Sequence, residues 1–228
     1  MPDGSPEIFE SIQGEGASAG MPSTFVRLAV CNLQCSWCDT AYTWDWERYE
    51  RVNQVIQLPA DAVVDSVEGR TPRNVVITGG EPLAQRHALA GLVPALRKRG
   101  YRLEVETNGT IPPGELSGLV DQWNVSPKLA SSGNAGLVRI RPGVLAQFSA
   151  EPKAFFKFVV SGEADLSEIE TILDAASVDS QQVILMPQGR TREELDSASA
   201  WLAAACTQRG WRFSTRLHIL IWGDKRGV

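Results

Sequence analysis

Three cysteines, Cys31, Cys35 and Cys38, fall within the eight-residue run Cys-Asn-Leu-Gln-Cys-Ser-Trp-Cys. Thiolates are soft ligands, and three on one short loop can hold an iron–sulfur cluster. A cube with four irons but three protein thiolates keeps one iron open to another ligand, and an open iron is a place for chemistry. A structural zinc ion is the competing reading, with His218 completing a Cys3His tetrahedron. Such sites usually take their ligands in two pairs from separate turns, whereas this triplet stands alone. The remaining cysteine, Cys206, lies in Ala-rich sequence near Leu202 and Ala205 at helical spacing. There it is expected to act as a small buried apolar residue. A disulfide framework is not expected in a long chain without a secretory leader.

Other polar or glycine-rich motifs each follow a short apolar run. Gln13-Gly14-Glu15-Gly16 comes after Glu7 to Ile12, Thr78-Gly79-Gly80-Glu81-Pro82 after Asn74 to Ile77, and Asn108-Gly109 after Tyr101 to Thr107. Ser126-Pro127-Lys128 follows Gln122 to Val125, and Pro187-Gln188-Gly189 follows Gln182 to Met186. Glycine permits backbone to come close to a ligand. Arg27 sits inside the apolar run Thr24 to Val30. Period two sets it on the opposite face from Val26 and Leu28, where a buried charge needs an anionic partner, either a ligand or a strand carboxylate such as Glu104 or Glu106.

The elements that must position these motifs alternate. Ala60 to Gly69, Leu83 to Gly100, Asp165 to Ala176 and the stretch after Thr191 carry helical spacing, the last opened by the capping-box pattern Thr191 to Glu194. Ala154 to Val160 and Trp211 to Trp222 read as further strands, the final one carrying His218, and Ser131 to Gly136 as a surface loop. Buried strands alternating with amphipathic helices imply a parallel α/β architecture. With about six strands and three or four good helices, a partial, open (β/α) TIM-like barrel is expected, as one domain over residues 1–228. In such folds ligands sit at the C-terminal ends of the strands, where every motif above occurs.

The chain has 228 residues, 43% of them apolar, enough for a substantial core, and a formal net charge of −5. That balance gives no bulk attraction to phosphate backbones or anionic membranes, so no direct nucleic-acid or membrane partner is expected. The opening Met1 to Glu7 has neither the basic start nor the apolar stretch of a signal peptide. A soluble, cytoplasmic protein is expected.

The cysteine spacing, with an aromatic residue before the last cysteine, resembles the signature of radical S-adenosylmethionine (SAM) enzymes. Nearly end to end, the chain resembles the 7-carboxy-7-deazaguanine synthase family, lyases of 7-deazapurine and queuosine biosynthesis. The likeness is carried by Phe9 to Gly16, Phe25 to Leu28, Cys31 to Thr40, Ile77 to Pro82, Glu106 to Gly109, Ser126 to Lys128 and Leu217 to Gly223. One departure is Val30, where many relatives are expected to carry glycine.

The resemblance implies conversion of 6-carboxy-5,6,7,8-tetrahydropterin to 7-carboxy-7-deazaguanine with loss of ammonia. A 5′-deoxyadenosyl radical would take the C6 hydrogen in a site closed to water. It implies a [4Fe–4S] cluster on Cys31, Cys35 and Cys38, and Mg²⁺ at Thr40. SAM would lie against Trp37, Gly80, Glu81, Ser126, Pro127, Lys128, Met186, Pro187, Gln188 and Gly189. Substrate would meet Ile12, Gln13, Gly14, Glu15, Arg27, Thr78 and the C-terminal carboxylate of Val228. A flavodoxin-like electron donor and a homodimer are implied as well. Two readings compete with this one: an activating enzyme for glycyl-radical proteins, which often carries extra cysteines that this chain lacks, and a zinc-stabilised binding module.

Overall fold

The computed structural model describes residues 4–228. Eight strands form one sheet in sequential order: β1 (Ile8–Ile12), β2 (Pro22–Leu28), β3 (Asn74–Gly79), β4 (Arg102–Thr107), β5 (Gln122–Val125), β6 (Ala154–Val160), β7 (Val183–Pro187) and β8 (Arg212–Phe213). β1 pairs antiparallel with β2, and every later pairing is parallel. β1 and β8 remain the two edges, so the barrel is open, as the alternation predicts. The count exceeds six because β1 serves as an antiparallel flap on β2 and β8 is only two residues long.

The helices are α1 (Arg51–Gln54), α2 (Ala60–Glu68), α3 (Arg86–Lys98), α4 (Gly136–Arg139), α5 (Pro142–Ser149), α6 (Ala164–Ala176), α7 (Arg192–Arg209) and α8 (Leu217–Trp222). The expected capping box opens α7: Glu194 N–H donates to Thr191 Oγ1 at 3.2 Å, and Thr191 N–H donates to Glu194 Oε2 at 3.1 Å. Both orphan donors at that helix end are thereby satisfied. α5 escapes a reading by helical period, being only eight residues and opening on Pro142 and Gly143. Tertiary packing makes it: Phe148 meets Trp123 edge to face at 5.2 Å, and both are buried.

Period-two alternation divides the sheet cleanly. One face carries Val75, Ile77, Leu103, Val105, Trp123, Val125, Phe156, Phe158, Val183 and Leu185, which join the helices in the hydrophobic core. The other face carries Arg27, Asn74, Thr78, Glu104, Glu106, Gln122 and Asn124, and is polar. Its lower layer is closed by its own hydrogen bonds. The fully buried Glu104 accepts from Asn74 Nδ2 (3.1 Å), Gln122 Nε2 (3.3 Å), Asn124 Nδ2 (2.9 Å) and Arg102. A buried carboxylate with that many donors is satisfied and seals this layer.

Two expectations need correcting. Trp211 to Trp222 is not one strand: after the two residues of β8 the chain turns, Leu217 N–H donates to Gly14 O at 2.8 Å, and α8 begins. His218 therefore sits on a short helix. Ser131 to Gly136 is not a plain surface loop either, because Ser132 is fully buried and the segment packs on the cysteine loop.

Candidate active site

A cavity of about 240 Å³ opens at the C-terminal ends of the strands. Cys31, Cys35, Cys38 and Thr40 line it, as do Ile12, Gln13, Gly14, Glu15, Arg27, Thr78 and Val228. Trp37, Gly80, Ser126, Lys128, Met186, Gln188 and Gly189 complete the set expected from the sequence. Glu81, Pro127 and Pro187 do not line it.

The Glu81 side chain is committed within the protein. Fully buried, its carboxylate accepts from Leu83 N–H at 2.9 Å, Thr107 Oγ1 at 2.8 Å and Asn108 N–H at 2.6 Å. Burial raises its pKa, while these three donors favour the charged form. It therefore ties the end of β3 to the end of β4. The glycines before it are needed for backbone approach. Gly79 has φ +133°, and a Cβ on Gly80 would lie 2.1 Å from Val30 O. That close approach lets Glu81 N–H donate to Val30 O at 2.8 Å and lashes the cysteine loop to β3. Val30 itself has φ +74°, a left-handed conformation that glycine adopts freely and valine does not.

The cysteine loop is held from a second side by the segment after β5. Ser36 N–H donates to Ser132 O at 3.0 Å, Gln34 N–H to Asn134 Oδ1 at 2.9 Å, and Trp37 Nε1 to Ser131 O at 3.1 Å. Burial pushes the Cys31 thiol up to about 11, and it raises Cys35 as well. Such thiols stay protonated unless a metal takes the proton's place. Among the described residues no trio of His, Cys, Asp or Glu converges on a single ion. A cubane asks for less, since each thiolate binds a different iron. His218 lies against Gly14, where a Cβ would meet its Nδ1 at 2.1 Å, and its Nε2 is 3.9 Å from Glu15. The donor set, three cysteines on one loop in a part-buried wall, fits a three-thiolate cluster.

Substrate-side chemistry is built on β2, β3 and β4. Arg27 and Thr78 are register partners on neighbouring strands, and Thr78 Oγ1 donates to Glu106 Oε2 at 2.7 Å. Gln13 Nε2 donates to the other oxygen of Glu106 at 3.1 Å. Arg27 donates through Nε to Glu7 Oε1 at 2.8 Å, so its strand-side partner is Glu7, not Glu104 or Glu106. Glu7 also accepts from Tyr42 (2.9 Å) and from Arg226 (2.7 and 2.9 Å). Burial works to raise the Glu7 carboxyl, yet the Arg27 and Arg226 charges hold it low, as a carboxylate.

Beside this lies a charged cluster that the sequence did not announce. Lys157 on β6 pairs with Glu15 Oε2, and Arg216 donates to Glu15 Oε1 at 3.0 Å, to Gly189 O at 2.7 Å and to Asp39 Oδ2. Burial would raise Glu15, but Lys157 and Arg216 outweigh it and hold the carboxyl well below its usual range. Arg216 is fully committed. It joins the glycine turn after β1, the loop after β7 and the residue following Cys38. Glu106, Asn124, Lys157 and Arg216 all line the cavity and were absent from the expected set. Polar positions at period two inside otherwise apolar strands were the signal for the first three.

Similarity to known proteins agrees with this geometry. Residues 26–140 match the family model described as Radical SAM superfamily. The chain is 42% identical over 223 residues to 7-carboxy-7-deazaguanine synthase of Pyrobaculum aerophilum, covering 97% of this chain and 95% of that protein. It is 36% identical to the enzyme of that name from Halobacterium salinarum, covering 96% and 90% respectively. The crystal structure of QueE from Escherichia coli superposes with a TM-score of 0.72 at 27% identity, covering 93% of each chain. A chain so alike over its length, with its cysteine triplet and Arg27 on one cavity, belongs to the 7-carboxy-7-deazaguanine synthase family of radical SAM enzymes.

Proposed function

We propose that this enzyme converts 6-carboxy-5,6,7,8-tetrahydropterin to 7-carboxy-7-deazaguanine with loss of ammonia. The observation that carries the reading is the sharing of one cavity by the cysteine triplet and by an arginine whose terminal nitrogens find no acceptor among the described residues. When bound, a [4Fe–4S] cluster on Cys31, Cys35 and Cys38 and SAM together supply the hydrogen-abstracting radical.

The chain's own residues bind, orient and exclude water. Arg27 offers its planar fork to the substrate carboxylate, with Glu7 fixing the guanidinium from behind. Thr78 and Gln13, both anchored on Glu106, present a hydroxyl, an amide and backbone to the pterin edge. Gly14 leaves room for His218 against the same turn. Glu15 is held charged by Lys157 and Arg216, and Val228 reaches the cavity beside these groups. Trp37, Gly80, Ser126, Lys128, Met186, Gln188 and Gly189 form the SAM wall. Pro127 and Pro187 shape its strand ends, and Glu81 ties the end of β3 to the end of β4. Thr40 offers a hydroxyl to Mg²⁺, a hard ion that takes oxygen ligands and keeps waters. Among the described residues its hydroxyl has one hydrogen-bond partner, Cys38 Sγ at 3.6 Å, so its oxygen is available.

The whole chain is read as one catalytic domain, supported by the single continuous sheet. A flavodoxin-like one-electron donor, a homodimer and a cytoplasmic location complete the proposal. No helix among the described residues is long and apolar enough to cross a membrane. The test is anaerobic reconstitution followed by iron, sulfide and zinc analysis, and turnover with SAM, reductant and the carboxy-tetrahydropterin. About one cluster per chain and formation of the deazapurine are expected. Stoichiometric zinc without labile sulfide would instead leave the zinc-stabilised module standing.

A further inference from the structure

Each cysteine sulfur of the triplet has an N–H donor, and two of the three come from side chains outside the motif. Trp44 Nε1 donates to Cys38 Sγ at 3.4 Å, and Asn134 Nδ2 donates to Cys35 Sγ at 3.4 Å. The third, Cys31, is served by the backbone N–H of Leu33. The orientation of Asn134 is decided by its other contacts. Gln34 N–H donates to its Oδ1 at 2.9 Å, so the amide nitrogen must be the atom that faces Cys35. Ser132 Oγ accepts from the same nitrogen at 3.2 Å and fixes the rotamer. Indole nitrogen is a donor only, so at Cys38 there is no ambiguity. Trp44 lines the cavity beside the cysteine loop, and Asn134, on the stretch after β5, holds that loop through Gln34 N–H as well.

We propose that Trp44 and Asn134 are positioning residues that set the reduction potential of the cluster through N–H···S hydrogen bonds to Cys38 and Cys35. Reduction adds one electron, and part of the added charge is carried by the ligand sulfurs. A donor aimed at a sulfur stabilises the reduced form more than the oxidised one and raises the potential. The two bonds act on different sulfurs, hence on different irons, so each makes its own contribution. The electron itself comes from an external one-electron donor, so the bonds shift the equilibrium and consume nothing. Functionally, they make the cluster reducible by a weaker donor. This inference rests on the cluster reading above.

The experiment is a redox titration followed by electron paramagnetic resonance on anaerobically reconstituted wild type, Trp44→Phe, Asn134→Ala and the double variant, each first shown to contain iron and sulfide. Each single variant is expected to have a more negative midpoint. The reduced-to-oxidised ratio at a fixed poise should fall roughly tenfold per bond, which is about 59 mV for one electron. The double variant should lie lower than either single variant. A second measurement needs no variant to fold: pulsed resonance on reduced wild type labelled with 15N-tryptophan should show an indole nitrogen coupled to the cluster. Unchanged or more positive midpoints in cluster-loaded variants, or no indole coupling in the wild type, would overturn this inference alone. Wild-type protein that takes up no iron and sulfide would overturn the cluster reading and this inference with it.

Discussion

Arg27 donates through Nε to Glu7 at 2.8 Å, and neither of its terminal nitrogens has an acceptor among the described residues. One edge of the guanidinium is thus spent on holding its direction, and the other is left for a ligand on the cavity side. Glu7 is itself over-supplied with donors from Tyr42 and Arg226, and so keeps its charge when substrate is absent.

From this arrangement Arg27→Met should keep the cluster and still cleave SAM slowly without substrate, while losing most of its kcat/KM for the carboxy-tetrahydropterin. Truncating one partner of a desolvated charge pair costs ~2–5 kcal/mol. At 1.4 kcal/mol per decade that is roughly 30-fold to several thousand-fold. Arg27→Lys should rescue only part, because a point charge lacks the fork. Steady-state kinetics alongside substrate-free SAM cleavage check it, and unchanged kinetics in a cluster-loaded variant would make Arg27 a structural partner of Glu7 only. Arg216 would be a poor substitute as anion receptor, since all three of its nitrogens are engaged.

Magnesium should act through Thr40. Thr40→Val preserves shape and deletes the oxygen, and the expected result is a lower rate with loss of Mg²⁺ stimulation. The neighbouring carboxylate, Asp39, is held by Arg216 and cannot readily take over. A variant that keeps both the wild-type rate and its response to Mg²⁺ would show that substrate and water alone hold the ion.

Val30 stores strain that can be removed. A left-handed conformation costs a non-glycine residue ~1–2 kcal/mol, and a β-branched side chain makes it worse. Glycine gives back ~0.5–1 kcal/mol through the entropy of the unfolded chain. Val30→Gly should therefore stabilise the apo protein by about 1 kcal/mol, or roughly 2–4 °C in Tm for a chain of this size. Val30→Ala should gain less. A fall in Tm for the glycine variant would mean that the half-exposed valine side chain contributes more by packing than its backbone loses.

The buried charges around Glu15 make a signed pH prediction. Glu15 is held well below its ordinary pKa, so its contribution to stability is present above the unfolded carboxyl value, about 4.3, and is lost as pH falls through the folded value. Lys157 is raised, because Glu15 outweighs burial. Its contribution is complete below about 10.4 and is lost as pH rises through the folded value. Thermal unfolding of apo protein should thus show a plateau near neutrality that falls at acid pH. Glu15→Gln should lower the plateau and flatten the acid limb, and an acid limb as steep as that of the wild type would assign it to other carboxylates.

The chain by itself determined what depends on local spacing. The cysteine triplet, the strand and helix periods, the Thr191 cap and the motifs at strand ends are all short-range patterns, and together they placed the ligand site at one end of an open parallel sheet. The absence of clean period in α5 and the two-residue length of β8 left those elements to tertiary contact, where Phe148 against Trp123 and the return of Leu217 to Gly14 supply the free energy that propensity lacks. Only the folded molecule decided which carboxylate holds Arg27. Glu7 is 20 residues away in sequence, whereas Glu104 and Glu106 carry the same charge on a nearby strand. It likewise made the Glu81 side chain a tie between β3 and β4, and brought Asn134 to Cys35 across 99 residues. Such pairings depend on strand register and loop packing over long separations, and no local pattern encodes them.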